Sequence, residues 1–296
     1  MTIRATLYSD PACPWAYSAT PALTVLRWRY REQIEWRLVT IGLREDTADL
    51  AERGYDPLRQ AIGWRSFRDR YGMPFAVEPR PRLVATGRAC RAIVATRLAH
   101  PGREFAALRA LAFAWFNTAL LLDDDADIET ALRALDGVDA AAVVATLDSP
   151  AVAEAYEADK AQARTAAGRP IEFQGKAAVS DGRVRYTAPS VVFEADGRWI
   201  EAGGFQPVEA YDVCVANLDV TLERFAPPAE PAALLARFPD GLCTQEVAMT
   251  LAANLVDVDR EATEEALVAL VGRGLASRTA LGDDALWRAN GAGALS

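Results

Sequence analysis

Apolar and polar residues alternate at the start of the chain. "TIRATLY" sets Ile3, Ala5 and Leu7 on one face, and "IEWRLVTI" sets Ile34, Trp36 and Leu38 against Glu35 and Arg37, the period-two pattern of strands. Between them the period changes. Trp15, Ala19, Ala22, Leu23, Leu26 and Tyr30 recur at helical spacing, with Arg27, Arg29 and Arg31 on the wet side. The first forty residues therefore read as a strand–helix–strand unit. Pro14 fits the first helical turn, where a missing N–H is no loss, and this makes Cys13 the cap residue.

Residues 45–167 are predicted helical throughout. Phe105, Leu108, Leu111, Ala112, Trp115 and Phe116 form one apolar stripe and Ile128, Leu132 and Leu135 another, while Ser149-Pro150 opens a long helix that stops near Gly168. After the turn-rich "RPIEFQGKAAVSDGRVRY", strands return in "PSVVFE" and "RWIEA", joined by an Asp196-Gly197 turn. Pro207 then opens a helix with Val208, Tyr211, Val215 and Leu218 on one side. The prolines of "RFAPPAEP", residues 224–231, mark a linker. Beyond it come a short helix ending near Phe238, a second after Thr244, a third from Asp259 to Gly274 and a hairpin around "LGDDALW". Three helices and a hairpin predict a small winged-helix-like α+β module over 231–296.

Composition narrows the partners. The apolar fraction of 51% and charged fraction of 25% are those of a globular chain. No apolar run approaches the roughly 20 residues needed to cross a bilayer, and the N-terminus enters a strand directly, which together predict a cytoplasmic protein without membrane contact. A net charge of −9 argues against general nucleic-acid affinity. The C-terminal module repeats the argument with five arginines against nine acids, and its third helix shows Glu261, Glu264 and Glu265 where phosphates would have to sit. We therefore expect no DNA binding there, and a packing, dimerisation or protein-contact role instead. One stretch runs the other way: residues 59–91 hold eight arginines against Asp69 and Glu78. They form either a solvated face paired with acids elsewhere or a surface for an anionic thiol or acidic peptide near "YGMPF".

Four cysteines, Cys13, Cys90, Cys214 and Cys243, lie far apart without metal-ligand spacing, so no disulfide framework, metal site or tightly bound cofactor is expected. The single histidine, His100, sits in the turn "AHPGRE", which leaves no basis for a Ser-His-Asp device. Cys13 stands apart from the rest. A helix N-terminus favours negative charge, so its thiol is expected to have a lowered pKa and to be nucleophilic. Cys90 and Cys214 fall among apolar neighbours and read as core.

"SDPACPWAY", "YGMPF", "RACRAIVATRLA" and "YTAPSVVFEADGRWIEAGGFQP", in this order of elements, resemble the DsbA-like branch of the thioredoxin superfamily, in particular its FrnE-like members. The resemblance covers residues 2–222. It implies an α/β thioredoxin fold over 1–223 with a large helical insertion. Cys13 then matches the family's attacking cysteine, and Pro14 and Trp15 match its inter-cysteine pair. Pro189 matches a cis-proline facing the thiol, with Thr187 and Ala188 presenting backbone to substrate and Tyr17 joining Trp15 in the groove. The departure is Ala16, where the family keeps its resolving cysteine. A dithiol enzyme escapes its mixed disulfide through that second thiol. Here the resemblance implies a monothiol oxidoreductase working with a low-molecular-weight thiol such as mycothiol or glutathione, or on an extended thiol-containing peptide. Kappa-class glutathione transferases and 2-hydroxychromene-2-carboxylate isomerases share the architecture without a cysteine pair. A thiol-dependent transferase or isomerase, and a non-catalytic adaptor holding an extended peptide, are the alternatives.

Overall fold

Parallel strands open the chain. In the computed structural model, which describes residues 2–48, 50 and 54–291, β1 (Ile3–Ser9) runs parallel to β2 (Ile34–Thr40), with Ile3 opposite Ile34 and Leu7 opposite Leu38. The alternation read from the sequence is only half of the burial. Ile3, Ala5 and Leu7 enter the main core, while Tyr8 on the opposite face packs with Val39, Ile41 and Ala163 in a second cluster. Both faces of the sheet are covered, so residues of both parities are buried. The helix predicted between these strands is two helices, α1 (Pro14–Ser18) and α2 (Thr20–Tyr30), broken at Ala19. Pro21 has no N–H to give the Tyr17 carbonyl four residues back, so the ladder cannot continue through it.

The insertion is helical as expected. It comprises α3 (Pro57–Tyr71), α4 (Gly87–Ala99), α5 (Glu104–Asn117), α6 (Asp125–Leu132), α7 (Ala140–Ala145), α8 (Pro150–Ala163) and the single turn α9 (Pro170–Phe173). Ser149 caps α8 by accepting from the Val152 N–H. The turn-rich segment forms a hairpin, β3 (Ala177–Ser180) with β4 (Arg183–Tyr186). The chain then re-enters the sheet as β5 (Ser190–Ala195), antiparallel to β1, followed by β6 (Arg198–Gly203) and α10 (Val208–Leu218). The sheet order is β2-β1-β5-β6. One parallel crossover followed by an antiparallel return, with helices on both faces, is the thioredoxin-like arrangement. It brings the end of β1, the start of α1 and the start of β5 to one edge.

The remaining elements are α11 (Pro231–Arg237), β7 (Leu242–Cys243), α12 (Thr244–Leu251), α13 (Arg260–Gly272), β8 (Ala276–Leu281) and β9 (Asp284–Ala289), with sheet order β7-β9-β8. Their core gathers Leu234, Val247, Leu267 and Trp287, and α2 contributes Trp28 to it. Docking is polar as well as apolar. Glu246 at the start of α12 is fully buried, takes the Arg109 guanidinium of α5 on both oxygens, and accepts from Thr24 Oγ1 of α2 at 3.0 Å. Asp283 accepts from the Phe75 N–H at 3.0 Å. The arginine face of α2 is consequently not wet as expected. Arg29 is 3% exposed and paired with Asp212 of α10, because α10 and the C-terminal elements cover that side. Residues 49 and 51–53 of the predicted insertion and 292–296 of the predicted C-terminal module lie outside the described residues.

Candidate active site

Cys13 occupies the cap position of α1 with extended backbone, and Pro14 follows it at the first helical position. The Cys13 carbonyl accepts from the Tyr17 N–H at 3.0 Å, which starts the helix. Across from it the chain enters β5 through an Ala188–Pro189 peptide that is cis. The Cys13 thiol donates to the Ala188 carbonyl at 3.0 Å, so the two segments meet at the sulfur. Ser190 Oγ donates to the Thr187 carbonyl at 2.7 Å, and Thr187 Oγ1 donates to the Lys176 carbonyl at 2.6 Å. These bonds hold the loop in place. Among the described residues no group accepts from the Ala188 N–H, which leaves one backbone donor open beside the thiol.

The expected low pKa is overturned. Burial pushes the Cys13 thiol up to about 12, with the Asp10 charge adding to it; the Ala16 and Trp15 N–H groups and Arg185 pull the other way and lose. The helix start does what such a terminus does, but α1 is one turn long and Cys13 is 6% exposed. Desolvation of the charged form therefore wins. At neutral pH the resting group is a thiol, consistent with its role as donor.

Two nearby charges went unread in the sequence. Asp10 sits within "SDPACP" and is buried beneath the cysteine. It accepts from the Ala12 and Leu43 N–H groups at 2.9 Å each, from Thr86 Oγ1 at 3.1 Å and from Cys90 Sγ at 3.4 Å. Burial still pushes its carboxyl up. Arg185 on β4 donates to Ser180 Oγ at 2.7 Å and to the Tyr186 carbonyl at 3.0 Å, and none of the described carboxylates pairs with it. Its charge acts on Cys13. Only the fold brings β4 to the thiol, so sequence spacing gave no signal for it.

Trp15 is exposed beside the site, at 44%. Its ring meets Phe67 at 4.8 Å, Tyr71 at 5.8 Å and Phe205 at 6.0 Å, an aromatic ledge assembled from α1, α3 and the turn after β6. Tyr17 is a correction. It was expected in the groove with Trp15, but it is buried in the main core, stacked on Phe116 at 4.7 Å, with its hydroxyl donating to the Pro74 carbonyl and accepting from Asn117 Nδ2. Two residues along a helix turn a side chain by about 200°, so Trp15 and Tyr17 face opposite ways. Ala16 is buried against the site.

No second thiol stands in for the missing one among the groups that Cys13 touches. Cys90 bonds to Asp10, Cys243 lies in the C-terminal docking contact 3.4 Å from Met73 Sδ, and Cys214 is on α10, half-buried rather than core. All four cysteines are free. The arginine-rich stretch is largely consumed by structure: Arg82 pairs with Asp123, Arg88 with Asp125 and Asp148, and Arg80 is buried with its guanidinium on the Trp115 and Leu120 carbonyls. Among the described residues no cluster of three or more His, Cys, Asp or Glu side chains is placed to hold a metal ion, and no described helix is long and apolar enough to cross a membrane.

Comparison with known proteins places this geometry. The model of the DSBA-like thioredoxin domain matches residues 5–186. A Nitrosomonas europaea structure described as a protein disulfide isomerase superposes with a TM-score of 0.57 at 17% identity, over 73% of this chain and 97% of its own. The cytosolic disulfide reductase DsbM from Pseudomonas aeruginosa gives 0.52 at 16% identity, over 74% of this chain and 100% of its own. A Streptomyces coelicolor structure described as a DsbA oxidoreductase gives 0.52 at 18% identity, over 75% and 92%. These likenesses are of fold. No curated protein matches the chain.

Proposed function

The chain belongs to the DSBA-like thioredoxin domain family, and from that premise we propose a cytoplasmic monothiol oxidoreductase that acts through a mixed disulfide at Cys13. The observation that carries the reading is the contact of Cys13 Sγ with the Ala188 carbonyl beside the cis Pro189, with Ala16 one turn on. A substrate strand laid along Thr187–Pro189 offers an N–H to that same carbonyl and takes an N–H from Ala188. It thereby occupies the thiol's acceptor and frees the S–H. The Cys13 sulfur gives up its proton as it attacks the small-thiol sulfur of a client–small-thiol mixed disulfide, and the client thiolate leaves and takes up that proton. A second small thiol, as thiolate, attacks the adduct, giving the oxidised small-thiol disulfide and regenerating Cys13. Each turnover consumes one free small thiol and releases one client thiol, because the other half of the symmetric disulfide enters already oxidised in the mixed disulfide.

Glutathione or mycothiol is the proposed co-substrate. DsbM, described as cytosolic, has also been solved with GSH, at a TM-score of 0.50 and 16% identity, and this supports both the co-substrate and the location. Arg185 supplies a cation for a carboxylate of glutathione, and the Trp15 ledge supplies an apolar surface for an extended peptide. We assign the C-terminal elements, in helix–strand–helix–helix–strand–strand order, to a winged-helix-like packing or dimerisation role without nucleic acid.

A second reading is favoured by the raised Cys13 pKa: the same groove holding an extended peptide without chemistry. Intact mass after incubation with oxidised glutathione separates the two. An adduct of one glutathione on wild type, lost in Cys13→Ser and removed by added thiol, supports the enzyme. An unmodified chain that nevertheless binds an extended peptide supports the adaptor.

A further inference from the structure

A cavity of about 420 Å³ lies between the sheet, α2, α5 and the segment Arg237–Leu242, within the size range of small-molecule sites, about 300–1,000 Å³. Its near end touches Ala16 and Pro189; Cys13 is not on its wall. Its charged end is at Arg27, on α2 beyond the break at Ala19.

The charges on the wall are almost all committed. Arg103 pairs with Asp240 at 2.9 Å, Arg237 with Glu32 at 2.6 Å, and Arg109 with Glu246. Asp10 is saturated by its four donors. Two remain. Among the described residues neither Arg27 nor Glu104 makes an ion pair or hydrogen bond, although each line the cavity and Glu104 lies close enough to act on the Arg27 charge. They do not bridge because Arg27 is held by aromatic faces, 4.4 Å over Phe105 and 5.4 Å over Trp36. Burial pulls the Arg27 guanidinium down to about 10. An arginine this poorly solvated gains more than a surface one from an anion. The wall nearby also carries the apolar side chains Leu23, Phe105, Leu108 and Phe113, beside Thr20 and Thr24.

We propose that this cavity is a binding site for a small zwitterion with an apolar side chain, the chemistry of a free hydrophobic α-amino acid. Its carboxylate sits on Arg27, its ammonium on Glu104, and its side chain lies against Leu108 and Phe113. The residues proposed to hold the ligand do not include Cys13. The site is built jointly by the thioredoxin-like elements and the C-terminal segment, so occupancy also ties the two together.

Calorimetry and thermal unfolding with phenylalanine and leucine as probes test this on the full chain. Saturable binding with a rise in Tm is expected for at least one of them. Two truncated probes, 3-phenylpropionate without the ammonium and phenethylamine without the carboxylate, are expected to bind at least about tenfold more weakly, since each forfeits a charge-assisted contact. Arg27→Met is expected to lose that discrimination against phenethylamine, Leu108→Trp to fill the cavity and abolish binding, and Cys13→Ser to bind as wild type. No saturable binding of either amino acid into the tens of millimolar overturns the proposal. So does binding unchanged in both Arg27→Met and Leu108→Trp, or 3-phenylpropionate binding as tightly as phenylalanine.

Discussion

Cys13 donates its thiol proton to the carbonyl of Ala188, 3.0 Å away and 175 residues later in the chain. The bond closes the site on itself, because the group that would attack and the backbone that would present a substrate satisfy each other. It also explains why a cysteine at a helix start is not acidic here. Burial raises its pKa to about 12, and the donor role is one only the thiol can play.

Alkylation should therefore be slow at neutral pH and climb with pH. For a thiol of pKa near 12 the thiolate fraction rises about tenfold per pH unit from 7 to 10, without the levelling off above about pH 8.5 of an ordinary cysteine. Iodoacetamide labelling of Cys13, read by peptide mass across that range, checks this. A plateau below pH 8 would mean that the helix start outweighs burial after all.

Arg185 gives a second prediction. Its charge lowers the Cys13 pKa, and its hydrogen bonds go to Ser180 and a carbonyl, not to a carboxylate. Arg185→Ala should slow labelling by anionic iodoacetate several-fold and labelling by neutral iodoacetamide less, because only the former also loses an attraction to the arginine. Equal losses with the two reagents would assign Arg185 a purely structural role.

Most of the architecture was legible in the chain because it rests on local rules. Ser149 followed by Pro150, the Asp196-Gly197 turn and the spacing of Val208, Tyr211 and Val215 each announce an element that the structure contains. The site was legible where one segment carries it, in Cys13 and Pro14. Where distant segments meet, only the resemblance pointed to a contact, that of Pro189 with the thiol; the residues by themselves did not. Arg29 looks solvated on its own helix and is buried because Asp212 arrives from α10. Tyr17 and Trp15 belong to one motif, yet α5 takes the first into the core and leaves the second on the surface. The Cys13 pKa failed for the same reason, since helix position is local and desolvation depends on everything packed around it.

Docking of the C-terminal elements should weaken in acid. Burial alone would raise the Glu246 pKa, but the Arg109 charge and the donors around it outweigh burial, and the net shift is downward. A carboxyl held below its unfolded value contributes stability that is complete above that value, about 4.3. The contribution is lost as pH falls through the lower folded value. Glu246→Gln strands a buried guanidinium and should cost about 3 kcal/mol at pH 7, and it should flatten the acid limb of the stability profile. Urea unfolding of both proteins between pH 3 and 7 measures the two effects together. An unchanged limb in Glu246→Gln would place the acid sensitivity elsewhere.

The last prediction concerns Ala16, since attack and escape are separable functions of the site. Attack belongs to Cys13. The N–H of residue 16, which favours the thiolate, is backbone and survives any side chain at that position except proline. Escape belongs to a second thiol, and Ala16 supplies none. Cys13→Ser should abolish adduct formation outright. Wild type should hold its adduct until an external thiol cleaves it, so that turnover depends on small-thiol concentration. Ala16→Cys places a cysteine three residues along the chain from Cys13, where one helical turn of about 5.4 Å brings the two within disulfide reach. Because position 16 is already buried, the added sulfur should cost some stability even as it confers an internal disulfide. Insulin reduction and intact mass, followed in parallel on the three proteins, decide the matter. Ala16→Cys should gain insulin reduction and stop accumulating the adduct. If wild type accumulates no adduct and Ala16→Cys stays inert, the Cys13 site does no thiol chemistry and the groove is left as a peptide-holding surface.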